Sequence, residues 1–382
     1  MLKSAVIYGA NASGKSNVLL AFGYLKRFVM SSHEYQKGNK KRFEPFILDE
    51  KWIKKPTKFE IVFIKNNTKY IYGLSYTSEK IIEEYLYYYP KNRKALIFER
   101  KKTNHYNFTI DEKEQKFISE RTLENVLYLS SSTKLNYKKT SEAFDWFLEN
   151  LKVIGPADHP SLMDFTVDLV KQNEELKKII LKALTEADVG ISDVFSTSKI
   201  IEFEDLPPEV KARIEAESQK GKIDIEKIEG LSIQTVHKIL EKDGKESQVI
   251  FNINQESEGT KRMLSLIGPW IDALKNGRIL IADELDTKLH HLLNVFLIKL
   301  FQDPTQNKTN AQLIFSTHNT NLLDQDLFRR DQIWFTEKNP DMHCTELYSL
   351  LEFKPRKDKN IQKGYLAGRY GALPFIKDEK VF

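Results

Sequence analysis

The chain has 382 residues, 41% of them hydrophobic and 30% charged, with a formal net charge of +5. That length can bury full cores in about two or three domains, and no run approaches the roughly 18 uncharged apolar residues of a membrane span. A soluble, cytoplasmic globular protein with no membrane partner is therefore expected. Met1-Leu2-Lys3-Ser4 runs straight into a motif, unlike a secretory signal. The single cysteine, Cys344, has no second thiol for a disulfide or a metal knuckle.

Ser4 to Tyr8 is a short apolar run ending at Gly9, and Asn17 to Val29 is mostly apolar at helical spacing, which reads as strand, loop, helix. Lys37, Lys40, Lys41 and Arg42, then Lys51, Lys54, Lys55 and Lys58, crowd the next stretch, whereas Glu202 to Glu229 is rich in acids. This asymmetry marks either a basic face that meets phosphates or solvated loops, so DNA or RNA is kept as a candidate partner. From Thr57 to Asp111 the pattern alternates, with a turn at Asn66-Asn67, and predicts an antiparallel β meander. Its aromatic residues Tyr85, Tyr87, Tyr88 and Tyr89 are read as packing groups before stacking platforms for bases.

Residues 140–245 are expected to form an inserted, mainly helical lobe, with Ser141 to Leu151, Met163 to Glu186 and Pro208 to Gln219 as its clearest helices. Alternation returns at Val249 to Ile253, followed by a helix from Gly259 to Leu274. Three apolar strands come next, Ile279 to Ala282, Leu313 to Ser316 and Ile333 to Phe335. Alternating β and α elements imply an α/β fold with a mostly parallel central sheet. The expected division is 1–139 and 246–382 as two parts of one head, with 140–245 between them.

Gly9-Ala10-Asn11-Ala12-Ser13-Gly14-Lys15-Ser16 matches the P-loop pattern at every fixed position. Glycines let the backbone curl so that N–H groups point at phosphate oxygens, and the helix start adds its dipole. Gly9, Asn11, Ala12, Ser13, Gly14, Lys15, Ser16 and the following Asn17 are thus candidates to hold ATP. Lys15, expected to lie exposed, would bridge the β- and γ-phosphates, and Ser16 would ligate Mg²⁺. The strand ending Ala282-Asp283-Glu284 delivers two carboxylates to the carboxyl edge of the sheet, where ligands bind in open α/β folds. Asp283 would hold Mg²⁺ through water, and Glu284 would polarise the attacking water.

Asp283-Glu284-Leu285-Asp286-Thr287-Lys288-Leu289-His290 resembles the Walker B and D-loop of SMC- and RecF-like ABC ATPases, and Ser316-Thr317-His318-Asn319 resembles their switch-histidine loop. Glu256-Ser257-Glu258-Gly259-Thr260-Lys261-Arg262 stands where their signature loop belongs, with Glu258 in place of the usual second glycine. Ser257 and Gly259 can cap the helix they begin, and an exposed helix start can receive a γ-phosphate from a second subunit. His318 can sense that phosphate and position water. The resemblance implies that Asp286 reaches across a homodimer or higher homo-oligomer; a helix N-cap is its plainer role.

Within ABC ATPases the chain is most similar to the RloA-like "AAA family" ATP-binding proteins of bacterial abortive infection and phage defence. The residues behind this are the opening Tyr8 to Asn17, the run Arg329 to Lys338, and the end Gly364 to Pro374. Such heads begin with a strand ahead of the P-loop, whereas Met1 here stands almost on it, and no Q-loop glutamine is assigned, since Gln36 lies in a basic loop. Related nucleases carry a Toprim domain after the head. The chain ends at Phe382, so a nuclease or toxin is expected to come from a separate effector protein. The resemblance implies an ATPase that gates this effector in antiphage defence; the alternative is a RecF/SMC-like ATPase of DNA repair or maintenance. A transporter subunit is disfavoured by the degenerate signature and the large inserted lobe, and a non-hydrolysing scaffold by the complete set of catalytic residues.

Overall fold

The computed structural model describes residues 2–155, 160–201, 228–356 and 359–374, together with the single positions 208 and 211. They divide into two compact units, the first drawn from Met1–Gly155, Asn276–Leu285 and Phe301–Phe382, the second from Pro156–Lys275 and Asp286–Leu300. In chain order the strands are β1 (Ser4–Gly9), β2 (Thr57–Lys65), β3 (Thr68–Tyr76), β4 (Ile81–Tyr88), β5 (Ala95–Lys101), β6 (His105–Phe108) and β7 (Leu151–Ile154). They continue with β8 (Ile191–Ile201), β9 (Ile228–Leu240), β10 (Glu246–Asn252), β11 (Ile279–Ala282), β12 (Gln312–Ser316), β13 (Ile333–Lys338) and β14 (Thr345–Ser349).

The first unit is built on a six-stranded sheet in the order β14-β13-β1-β12-β11-β7. Every pairing from β13 to β7 is parallel, and only β14 runs antiparallel to β13. Val6, Ile7 and Tyr8 in β1, like Leu280 to Ala282 in β11, are buried, as parallel strands covered on both faces must be. The expected meander is a separate five-stranded antiparallel sheet in the order β2-β3-β4-β5-β6. Asn66 and Asn67 both adopt positive φ at its first turn, which the two-residue hairpin geometry requires.

The helix Lys15–Ser31 joins these sheets into one core. Its Leu19, Leu25, Phe28 and Val29 are buried in the same cluster as Phe63, Tyr72, Leu74 and Tyr76 of the meander. Trp146 stacks on Phe63 with ring centroids 4.3 Å apart. Tyr88 packs against this cluster, while Tyr85 lies across Gly73, where a Cβ would collide with its ring.

Two expectations for the middle of the chain are corrected, and strands are added to a third. Ser141 to Leu151 is not one helix: the helix is Lys138–Asp145, a π turn follows over Trp146–Asn150, and Leu151–Ile154 becomes β7, paired in parallel with β11. Met163 to Glu186 is two helices, Pro160–Gln172 and Glu174–Glu186, because the side chain of Asn173 accepts the Leu176 N–H at 3.0 Å and caps the second. Beside its helices the described part of the lobe carries two long strands that the sequence did not announce, β8 and β9, which with β10 form an antiparallel sheet in the second unit in the order β10-β9-β8. Period-two burial in β9, with Ile233 and Thr235 inside and Ser232 and Gln234 less buried, is the signature of a strand with polar residues spread along it. The expected helix from Pro208 to Gln219 lies outside the described residues apart from positions 208 and 211.

Candidate functional site

Strand β1 ends in the loop whose shape is set by two glycines. A Cβ on Gly9 would lie 2.5 Å from the carbonyl oxygen of Thr336 and against the Thr336 hydroxyl, so only hydrogen fits between β1 and β13. Gly14 caps the following helix at φ 103°, a left-handed conformation that favours glycine, and a Cβ there would meet the Thr345 side chain. Between them Ala12 takes a positive φ of 61°. The Ser13 hydroxyl lies 2.7 Å from that of Thr336, and the Thr345 hydroxyl donates to the Ser13 carbonyl over 2.9 Å. The loop is therefore braced from β13 and β14 in a form that fits a phosphate cradle.

Lys15 is not exposed as expected. Only 6% of it is accessible, and its ammonium donates to the carbonyl oxygens of Gly9 at 2.9 Å and Ala10 at 3.0 Å. An ammonium at a curled loop is drawn to the nearest carbonyl dipoles, so the side chain folds back over the loop it serves. Ser16 is half-buried in the first turn of the helix, and Asn11 and Asn17 are exposed on either side.

β1, β12 and β11 are consecutive and parallel in the sheet, with Ile7 opposite Ser316 and Ala282 opposite Phe315, so their carboxyl ends share one edge. That arrangement brings Gly9 to Ser16, then His318, then Asp283 and Glu284 to neighbouring strand ends. Asp283 is buried and accepts a hydrogen bond from the Ser316 hydroxyl, which itself accepts the Glu284 N–H at 2.8 Å. The Leu285 N–H donates to the Ser316 carbonyl over 3.1 Å. Glu284 stands at φ 49°, an unfavourable backbone for a residue with a side chain, of the kind concentrated at working sites. His318 is exposed just beyond β12, and the Thr317 N–H, which donates to the Ile7 carbonyl at 3.2 Å, ties its loop to β1.

Ser257, Gly259 and Asp286 belong to the second unit. The Ser257 hydroxyl accepts the Thr260 N–H at 3.1 Å, capping the helix Glu258–Asn276 as expected. A Cβ on Gly259 would lie 3.3 Å from the Lys288 carbonyl, and Glu258 pairs with both Lys261 and Lys288 at 3.0 Å. The start of this helix and the turn around Lys288 are thus neighbours within this unit. Asp286 accepts the Leu289 N–H through its carbonyl at 3.2 Å in a turn that precedes the helix His291–Gln302, so it is not that helix's N-cap.

Ser316 as the partner of Asp283, and Thr336 and Thr345 as braces of the loop, are not visible as site residues in the sequence. Ser316 has a signal, its place at the end of a parallel strand beside the acids, whereas nothing local marks the two threonines. The donor set suits Mg²⁺: among the described residues no group of three or more His, Cys, Asp or Glu is placed to hold a metal. Magnesium, however, takes few protein ligands and completes its shell with phosphate oxygens and water. Ser16 and Asp283 are hard oxygen donors of that kind.

A parallel sheet with a strand, a glycine-braced phosphate loop and a helix, and with paired acids two strands away, defines a P-loop nucleotide-binding α/β protein. Residues 4–324 match the family model described as "AAA domain, putative AbiEii toxin, Type IV TA system", and the chain belongs to that family. No curated protein matches it. A solved structure described as the SmcHead bound to the C-winged helix domain of ScpA is similar to it at 16% identity. That similarity covers 92% of this chain and 93% of the other, with a TM-score of 0.37.

Proposed function

We propose that the chain binds ATP with Mg²⁺ at the shared edge of β1, β12 and β11 and hydrolyses it. The observation that carries this reading is the convergence of the braced loop Gly9–Ser16, the buried Asp283, Glu284 and His318 on adjacent strand ends. Lys15 already gives its ammonium to the loop carbonyls of Gly9 and Ala10. Phosphate oxygens would replace those partners at the same loop, with the glycine-shaped backbone and helix start around them. Ser16 and Asp283 would hold the magnesium, which neutralises phosphate charge. The Glu284 carboxylate takes the proton of the attacking water, and His318 orients the far side of the γ-phosphate.

Ser257, Gly259 and Asp286 of a second copy would complete the site, and the ATP-dependent pairing of copies would gate a separate nuclease or toxin in antiphage defence. The helix start capped by Ser257 supports the first part, because it is an electropositive terminus suited to a terminal phosphate. The family's description, which names a toxin system, supports the second. The test is turnover and nucleotide retention by Glu284→Gln: ATP kept bound with hydrolysis lost is the expected result, and wild-type turnover removes Glu284 from the mechanism.

A further inference from the structure

The helix start that Ser257 caps is anchored to the neighbouring sheet by the residue just before the cap. The Glu256 side chain is only 7% exposed, and β9 supplies the two groups that satisfy its carboxylate. The Thr235 hydroxyl donates to Glu256 Oε1, and His237 Nε2 donates to the same oxygen over 2.6 Å. Thr235 and His237 are two residues apart and so share one face of the strand. The His237 ring packs on Phe251 of β10 with centroids 4.9 Å apart. A carboxylate withdrawn from water needs such donors, because leaving it unpaired is costly.

The connection from β10 to the helix leaves little slack. Asn252 ends β10, donates through its side-chain amide to the Ser232 hydroxyl of β9 at 2.9 Å, and accepts the Asn254 N–H at 3.0 Å. Gln255 closes that turn by accepting the Asn252 N–H at 2.8 Å, and the Glu256 N–H donates to the Ile253 carbonyl at 3.1 Å. On the other side of Ser257, Glu258 pairs with Lys261 and Lys288, but its side chain is 61% exposed, so water competes for those pairs. Of the two carboxylates that flank Ser257, the buried one at Glu256 is therefore the firmer hold.

We infer that Glu256, held by Thr235 and His237, sets the position of the helix start that meets the γ-phosphate on a second copy, which makes these three positioning residues for hydrolysis in that copy's site. A shift of about 1 Å in a group that meets a reacting phosphate can cost about 100-fold in rate. The inference rests on the shared-site reading, and the experiment separates the two. With the full chain and magnesium, turnover and ADP affinity are measured for wild type, Glu256→Ala, Glu256→Gln and Ser257→Arg. ADP has no γ-phosphate for the second copy, so its affinity reads the P-loop alone. Glu256→Ala is expected to lose turnover by about 10- to 100-fold at unchanged ADP affinity. Glu256→Gln keeps an oxygen that accepts both bonds and should stay within about fivefold of wild type. Mixed with Lys15→Ala, the Glu256→Ala chain should recover about a quarter of wild-type turnover, since one composite site of a mixed dimer then has an intact P-loop and an intact helix start. Mixed with Ser257→Arg it should recover none, because both chains are defective in the same half. Wild-type turnover in Glu256→Ala, loss of its ADP affinity, or no recovery with Lys15→Ala where Ser257→Arg does recover overturns the positioning role. Failure of Lys15→Ala to restore Ser257→Arg, with mixed dimers present, overturns the shared site instead. Should Glu256→Ala fail to fold, Thr235→Val and His237→Phe, which keep side-chain shape and ring packing, take its place. Each should lower turnover at unchanged ADP affinity, and wild-type turnover in both overturns the inference.

Discussion

The hydroxyl of Ser316 accepts the Glu284 N–H at 2.8 Å and donates to the Asp283 carboxylate, so one small side chain orients both acids of the site. Because Asp283 is buried, the lost hydrogen bond cannot be replaced freely by water. Ser316→Ala is expected to lower ATP turnover by about 10- to 100-fold and to raise the magnesium concentration for half-maximal rate, as loss of a group behind a metal ligand does. Magnesium titration of the steady-state rate checks this. An unchanged rate and magnesium dependence would mean that Asp283 is not the metal-side carboxylate.

Lys15 gives a second prediction because it is buried on its own loop. Lys15→Ala is expected to abolish tight ATP binding, and also to leave the Gly9 and Ala10 carbonyls without their present donor. That cost is about 1 kcal/mol, or a fall of about 1 °C in Tm for a chain of 382 residues, because the unfolding entropy grows with length. Calorimetry and a thermal melt read the two effects separately. Full ATP affinity in the variant would sink the phosphate role.

The left-handed backbone of Glu284 separates its chemical role from its structural one. Glu284→Gln keeps the side-chain volume and the local strain, so stability should stay within about 0.5 kcal/mol of wild type while turnover is lost. Glu284→Val adds a β-branch at φ 49°, where such residues are disfavoured, and should cost about 2 kcal/mol more. Urea denaturation of the two variants tests the contrast; equal stabilities would show that the turn relaxes around this position.

The parts of the site that the sequence made legible are those whose chemistry depends on residues close together in the chain. Gly9 to Ser16 carries its glycines and lysine in one loop, and Ile279 to Glu284 ends an apolar run in its acids. Parallel strands β1, β11 and β12 were readable because strands buried on both faces are continuously apolar. The residues that brace the site come from distant parts of the chain. Thr336 and Thr345 reach Ser13 across more than three hundred residues, and their positions follow only from the pairing of β13 with β1 and β14. β7 was missed because four residues, Leu151 to Ile154, follow an amphipathic helix without a break, and their partner β11 lies more than a hundred residues away. β8 and β9 were missed because polar residues interrupt their alternation, which only the packing of β8 on the helices Pro160–Gln172 and Glu174–Glu186 and the pairing of β9 with β8 reveal.

Lys41 supplies a pH dependence that is independent of nucleotide. Its side chain is buried, its ammonium has no hydrogen-bond partner among the described residues, and burial, with the Arg100 guanidinium adding to it, brings its pKa down to about 8. Below about pH 8 both folded and unfolded chains hold this proton. Between about 8 and the ordinary 10.5 the unfolded chain binds a proton that the folded chain has shed, so stability rises with pH in that window. The slope is at most about 1.4 kcal/mol per pH unit. Lys41→Met should be more stable at pH 7 and lose this slope, as read by urea denaturation between pH 7 and 10. A variant that keeps the full slope would assign it to another group.

Mixing two variants tests whether the proposed site is shared between chains. The P-loop, Asp283, Glu284 and His318 lie in the first unit, and Ser257, Gly259 and Asp286 in the second. If two copies exchange these halves, a Lys15→Ala chain still offers an intact capped helix start, and a Ser257→Arg chain still offers an intact P-loop. Neither variant alone should hydrolyse ATP: the first cannot hold the phosphates, and the second sets a bulky cation where the Ser257 hydroxyl now accepts the Thr260 N–H. In a mixed dimer one of the two composite sites is whole. An equimolar mixture that assorts at random holds about half its dimers in the mixed form, each with one working site of two. About a quarter of wild-type turnover should therefore return if the sites act independently, whereas sites that need each other would return less. The measurement is turnover against mixing ratio, with heterodimers verified by differently tagged chains. Heterodimers that form and show no turnover above either variant alone would place the whole catalytic site within a single chain.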